Sequence, residues 1–249
     1  MIGHRGAAAL APANTLASFE RALDAGVDAI EFDVGALDDG TLVLAHSDDL
    51  HDVTAGAHHG TLRGRDLAGV RSLFPELATF EDALAFFVRT PGLGVHVDLK
   101  AEGAEAAVAD ALRRHDLLDR TLVSSFFRDS LRRVAVEEPR LARGLTYPYD
   151  RFGITGRRAL GPVVLAGLGT MRAVLPALIG RWLDRAQATV ATLHYLVLSR
   201  RTIARCHARD VPVLAWTVDR GRPARALARA GVDGIITNNP ALVGDTLKT

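Results

Sequence analysis

The chain alternates between two hydrophobic periods. Short apolar or alternating runs recur at 1–5, 28–34, 94–100, 120–125, 141–146, 188–193, 211–218 and 233–237, and each reads as a strand. Between most of them, apolar residues fall three to four apart, the spacing of one helix face. Asn14-Thr15 is a polar cap pair that opens a helix with Leu16, Phe19 and Leu23 on one face, stopped by Gly26. Thr79-Phe80-Glu81-Asp82 has capping-box form and opens a second helix through Val88. Segments 102–115, 128–137, 199–208 and 221–230 complete the set. Eight parallel strands separated by helices predict an α/β protein, a closed (β/α)8 TIM-type barrel. The alternative, an open doubly wound sheet, would carry a Gly-rich phosphate turn after its first strand, and His4-Arg5-Gly6 is not one.

Two stretches break the alternation. From Glu31 to His46 there is no room for a crossover helix, so 42–46 reads as an antiparallel hairpin strand after strand 2. A two-residue Asp39-Gly40 turn pairing Asp38 with Thr41 would set Asp33 opposite His46, with Glu31 on the same face. The second break is an apolar insert at about 150–186, between parallel strands 5 and 6. Pro176 and the glycines argue against one long helix, and the apolar stretch, broken by Arg172, reads as too short to span a bilayer. It is either a helix pair covering the barrel mouth or an interfacial element, with Trp182, Arg181 and Arg185 at a lipid headgroup layer and contact through about 157–183.

Composition narrows the class. A length of 249 residues fits one barrel domain over 1–249, and a net charge of +1 with interspersed signs gives no reason to expect nucleic acid as a partner. The single cysteine, Cys206, excludes an intramolecular disulfide. The chain enters a strand at Ile2 without a signal-like segment, so a cytoplasmic location is expected, with peripheral membrane contact through the insert as an addition.

Alternation also aims the chemistry. On the third parallel strand Val95, Val97 and Leu99 face the helices, while His96, Asp98 and Lys100 face inward. On the second, Ile30 and Phe32 face outward and Glu31 and Asp33 inward. Buried charges must be paired or bind a metal. One reading is an ion-pair network, Lys100 with Asp98 and Arg5 with Glu31. The other is a hard-cation site of Glu31, Asp33 and Asp98 suited to Mg²⁺ or Ca²⁺. His4 and His46 flank the cluster at strand ends, where they can act as base and acid on opposite sides of a scissile bond. Arg5 offers a planar fork to phosphate oxygens and Lys100 a point charge. His51, His58 and His59 read as solvated loop residues, and His115 and His207 as exposed helix residues.

These residues, with Pro12-Ala13-Asn14-Thr15, Ile30-Glu31-Phe32-Asp33-Val34, Asp39-Gly40 leading to His46-Ser47, Asp98-Leu99-Lys100, Trp216-Thr217-Val218 and Asp233-Gly234-Ile235-Ile236-Thr237-Asn238-Asn239-Pro240, resemble the glycerophosphodiester phosphodiesterase family in order over nearly the whole chain. The resemblance implies a barrel that hydrolyses glycerophosphodiesters to sn-glycerol 3-phosphate and an alcohol. It implies a divalent cation on Glu31, Asp33 and Asp98, an acid–base pair of His4 and His46, and phosphate contacts from Arg5 and Lys100. It also implies Trp216 as a wall of the glycerol pocket, with His194 and Phe126 as further candidates, and attack by a glycerol hydroxyl through a cyclic phosphate. Ala13 stands where the family has glutamate, Ser47 where it has aspartate (Asp48 and Asp49 being adjacent), and Asp98 where glutamate is commoner. The expected substrate is therefore a small glycerophosphodiester. The alternatives are a lysophospholipase D-type action on a lysophospholipid at a membrane, and a non-catalytic barrel that binds phosphorylated ligands or a membrane.

Overall fold

Strand-forming residues with buried apolar side chains on one face and polar ones on the other organise the molecule, whose computed structural model describes residues 1–100, 102–149 and 161–248. In chain order the elements are β1 (Ile2–His4), α1 (Leu16–Asp24), β2 (Ala29–Ala36), β3 (Leu42–Val43), α2 (Leu50–Val53), α3 (Leu67–Arg71), α4 (Phe80–Arg89), β4 (Gly94–Leu99), α5 (Glu105–Arg114) and β5 (Thr121–Ser125). They continue with α6 (Arg128–Glu137), β6 (Ala142–Tyr147), α7 (Gly161–Ala186), β7 (Val190–His194), α8 (Arg200–His207), β8 (Val213–Trp216), α9 (Gly221–Ala230), β9 (Gly234–Thr237) and α10 (Pro240–Lys248). Strands β1, β2 and β4 to β9 pair in parallel, and β1 bonds both β2 and β9, which closes the ring into a TIM-type (β/α)8 barrel.

Outward residues of β2 and β4 meet the helices as the alternation requires. Ile30, Phe32, Val34, Val97 and Leu99 are fully buried in a core with Phe19 of α1 and Phe80, Leu84 and Phe87 of α4. Phe19, Phe32 and Phe87 form a ring cluster with centroids 5.3–5.8 Å apart, the offset contacts aromatic quadrupoles favour. Thr15 caps α1 and Thr79 caps α4 in capping boxes with Ser18 and Asp82. On α1 the buried face is Ser18, Phe19 and Ala22. Leu23, expected there, is 41 % exposed because the helix packs one position round from the apolar stripe.

The hairpin register differs from the expected one. Its loop has three residues, closed by Leu37 N donating to Thr41 O at 2.9 Å and Gly40 N to Leu37 O at 2.9 Å. Gly40 takes φ +85, the left-handed residue such a loop requires. Gly35 therefore pairs with Val43 and Ala36 with Leu42, a slip of one residue that removes the Asp33–His46 cross-strand pair. β3 ends at Val43, and the chain then makes an excursion through α2 and α3. That excursion has its own small core of Leu37, Val43, Ala45, Leu50, Leu62, Val70 and Leu77.

The described part of the insert is also different: residues 161–186 form one helix, not a helix pair, and 150–160 lie outside the described residues. Leu175, Ile179, Leu183 and Ala186 make a single buried stripe beginning just before Pro176, and this packing overrides the local cost of the proline. Val164–Ala186 is long and apolar enough, by length and composition, to cross a membrane, so the expected shortfall in length does not hold. Only 17 % of its most apolar window is buried.

Candidate active site

The site lies at the C-terminal mouth of the barrel. A cleft of about 110 Å³ is lined by His4, Arg5, Glu31, His46, Asp98 and Lys100, with Phe126 and Trp216 on its wall. The His-Arg-Gly turn after β1 is set by close packing. A Cβ on Gly6 would sit 2.2 Å from Ser18 Oγ, and Gly6 has φ +83, so glycine is required there. Arg5 adopts φ +51, costly for a side chain with a Cβ, and is held by its own N–H donating to Glu31 Oε2 at 2.9 Å.

Glu31, Asp33 and Asp98 are buried, and one oxygen from each lies within 4.8 Å of the others. Asp33 carries two ion pairs, Arg5 Nε at 3.0 Å and Lys100 Nζ at 2.8 Å. Lys100 also pairs with Asp98, and so joins both acids. The expected Arg5–Glu31 pairing is thus a backbone contact, and the guanidinium goes to Asp33. The Asp33 Oδ1 oxygen is the one that meets the Lys100 ammonium, and Oδ2 is the one that meets Arg5. Asn14, expected as part of a cap, instead clamps Asp33: its Nδ2 donates to Oδ2 at 2.9 Å, and Asp33 N donates to Asn14 Oδ1 at 3.1 Å. Asp98 Oδ1 accepts from Ser124 and, at 3.3 Å, from Thr146 Oγ1. Hydroxyls of β5 and β6 therefore steady the shorter acid.

Burial, then Asp33 and Asp98, pushes the Glu31 carboxyl up to about 8. Burial also opposes ionised Asp33, but Lys100 and Arg5 outweigh it and hold that carboxyl well below the usual range. Three carboxylates against Arg5 and Lys100 leave one excess negative charge when all are ionised. An all-oxygen donor set of three clustered acids, carrying one more negative charge than Arg5 and Lys100 balance when all are ionised, fits a hard divalent cation.

Both histidines present the same nitrogen to the cleft. Asn238 Nδ2 donates to Asp219 Oδ2 at 2.8 Å, which turns the Asn238 amide oxygen toward His4 Nδ1 at 2.7 Å. His4 therefore carries its proton on Nδ1 and leaves Nε2 free, 3.9 Å from Glu31 Oε2. Burial, reinforced by Arg5, pushes the His4 imidazole down to about 4. His46 Nδ1 lies 2.9 Å from Asp52 Oδ2, and Ser47 Oγ donates to the same oxygen at 2.9 Å. The carboxylate serving His46 thus comes from α2. The adjacent acids are engaged elsewhere, Asp48 with Arg63 and Asp49 as the cap of α2.

Phe126 and Trp216 line the cleft with rings 5.9 Å apart, and Trp216 Nε1 donates to Thr192 O at 3.0 Å. His194 is outside the lining: it packs edge-on behind Trp216 at 5.1 Å. His51, expected in a solvated loop, is the second residue of α2 and stacks on His59 at 5.0 Å, both side chains being exposed. His115 pairs with Glu81 at 2.7 Å and His207 with Asp233 at 2.8 Å, both serving as links between surface elements.

A closed parallel barrel with a buried acidic cluster, two anchored histidines and two cations ion-paired to that cluster at its mouth defines the class: a phosphodiester-processing (β/α)8 protein. The chain belongs to the glycerophosphoryl diester phosphodiesterase family, whose sequence model matches residues 4–242. It is 27 % identical over 257 residues to a glycerophosphodiester phosphodiesterase of Caldanaerobacter subterraneus subsp. tengcongensis, covering 96 % of this chain and 94 % of that one. Its fold is similar to that of an Oleispira antarctica phosphodiesterase solved with the product sn-glycerol-3-phosphate (TM-score 0.76, 23 % identity, covering 100 % and 96 % of the two chains). It is also similar to a glycerophosphodiester phosphodiesterase of Thermotoga maritima (TM-score 0.73, 19 % identity, 98 % and 96 % covered). Membership of this enzyme family sets aside the non-catalytic reading.

Proposed function

We propose that the protein hydrolyses glycerophosphodiesters to sn-glycerol 3-phosphate and an alcohol, with His4 and His46 as proton carriers and a divalent cation, Mg²⁺ or Ca²⁺, on Glu31, Asp33 and Asp98. The observation that carries this reading is the convergence of that buried acidic triad with two histidines, each held through Nδ1 with Nε2 free, in one cleft. In this reading Arg5 and Lys100, which line the cleft, receive the phosphate oxygens, and Trp216 and Phe126 pack against the glycerol carbons. One histidine Nε2 takes the proton of the attacking hydroxyl, while the other returns a proton to the leaving oxygen. When bound, the cation supplies charge stabilisation at the phosphoryl oxygens. The test is turnover of glycerophosphodiesters before and after chelation. Loss of activity on chelation, with recovery in Mg²⁺ or Ca²⁺, is expected, and undiminished turnover in chelator overturns the metal assignment.

A second reading, lysophospholipase D-type action at a membrane surface, is favoured by α7. It carries exposed apolar side chains, Leu165 at 61 % and Val174 at 45 %. From Arg151 to Leu183 the sequence has no acidic residue but includes Arg157, Arg158, Arg172 and Arg181, a balance suited to anionic headgroups. Co-sedimentation with anionic vesicles that is lost in Leu165→Asp/Val174→Asp is expected under this reading. Equal sedimentation of the two proteins rules the contact out.

A further inference from the structure

Beside the catalytic cleft lies a second and larger groove, about 410 Å³, which shares Phe126 and Thr146 with it. The two are therefore continuous across the Phe126 ring. On the cleft side of that ring stand Trp216, 5.9 Å away, and Lys100, whose Nζ lies 5.3 Å from the ring centroid. On the groove side the walls are aromatic: Phe126 and Phe127 pack on Tyr149 at 5.2 and 5.6 Å, and Tyr147 packs on Trp182 of α7 at 4.9 Å. A phosphodiester held by Arg5 and Lys100, with its glycerol toward Trp216, would have its other ester arm on the Phe126 side, where this groove begins.

The charges lining the groove are unequal in their engagement. Asp129 is paired with Arg132, and Glu102 with Arg133 at 3.6 Å. Arg128 is half-buried with its guanidinium carbon 5.2 Å from the Trp182 ring, and among the described residues it has no hydrogen-bond or ion-pair partner. A guanidinium laid on an indole keeps its in-plane N–H donors, the fork that receives a carboxylate or phosphate in bidentate fashion. The aromatic wall lowers the local dielectric and strengthens that attraction.

We propose that this groove is the leaving-group subsite and that Arg128 receives an anionic group, a carboxylate or a phosphate, on the departing alcohol. This rests on the hydrolysis of glycerophosphodiesters proposed above. Two matched substrate pairs test it and separate the sources of the anion. Glycerophosphoserine and glycerophosphoethanolamine differ by one carboxylate. Glycerophosphoglycerol phosphate and glycerophosphoglycerol differ by one terminal phosphate.

The anionic member of at least one pair is expected to have a kcat/KM about tenfold or more above its partner, the scale of one charge-assisted contact. The pair that shows it identifies the anion. Arg128→Gln brings the ratio close to one, and Arg128→Lys, which keeps the charge but loses the fork, leaves an intermediate ratio. Calorimetric affinities of the same four diesters give the ratio independently of turnover. If all four bind but none is cleaved, the hydrolysis reading fails while the subsite is still read. Ratios near one in the wild-type protein, or ratios unchanged in both Arg128 variants, overturn the proposal.

Discussion

Glu31, Asp33 and Asp98 ride on strands paired on both sides, whereas His46 hangs on the excursion between β3 and α4. In the first region β2 bonds both β1 and β4, and each acid is at most 4 % exposed. Position there follows from the sheet ladder, and electrostatics are strong because water is excluded. In the second region His46 and Asp52 are 40 % and 39 % exposed, and their geometry depends on a separate small core around Leu50. The contrast separates two tasks. A cluster of like charges needs a rigid frame with fixed counter-ions, while a proton carrier at the rim can move with a locally stabilised loop.

The comparison can be broken most sharply at Asp33. Asp33→Asn is expected to lower turnover by at least about 10³-fold and to abolish the stabilisation of the protein by Mg²⁺ or Ca²⁺ in thermal melts. The metal-free protein should keep most of its stability, because Glu31, relieved of a neighbouring charge, ionises in its place beside Lys100. A variant that still gains stability from the cation would show that the floor is not the cation site.

His46→Ala should reduce kcat by about 10²–10⁴ without changing the melting temperature, since the side chain is half-exposed. His4→Ala should lose as much activity but also a little stability, because it leaves the half-buried Asn238 amide oxygen without its His4 donor. Near-normal turnover in either variant would sink the acid–base assignment. The smallest effect is expected at Asp52. Asp52→Ala should lower kcat about tenfold with KM nearly constant, because it frees the His46 ring without touching the phosphate contacts. A rise in KM alone would mean that Asp52 serves substrate rather than His46.

The inward set on β2 and β4 was legible in the sequence because a strand has period two, so Glu31, Asp33, His96 and Asp98 had only one face to share once Phe32 and Val97 were assigned to the core. Caps at Thr15 and Thr79 were legible for an equally local reason. Asp52 was not. It lies six residues from His46, nearer acids intervene, and what brings it back is α2, a single turn capped by Asp49 and anchored by buried Leu50. Asn238 was visible only as one member of a late motif. Its orientation depends on Asp219, at the far side of α9. Arg128 gave no signal at all, since its partner ring Trp182 belongs to an insert whose helical course the proline and glycines obscured.

The sequence by itself determined the alternation of strands and helices and the face on which each strand carries its acids. These follow from side-chain periodicity and capping, interactions that reach only a few residues. Tertiary structure alone decided which carboxylate anchors each histidine side, the one-residue slip of the hairpin, the single course of α7 and the groove beside Phe126. Each of these depends on packing between segments distant in the chain, where a buried stripe or one glycine dihedral outweighs local preference.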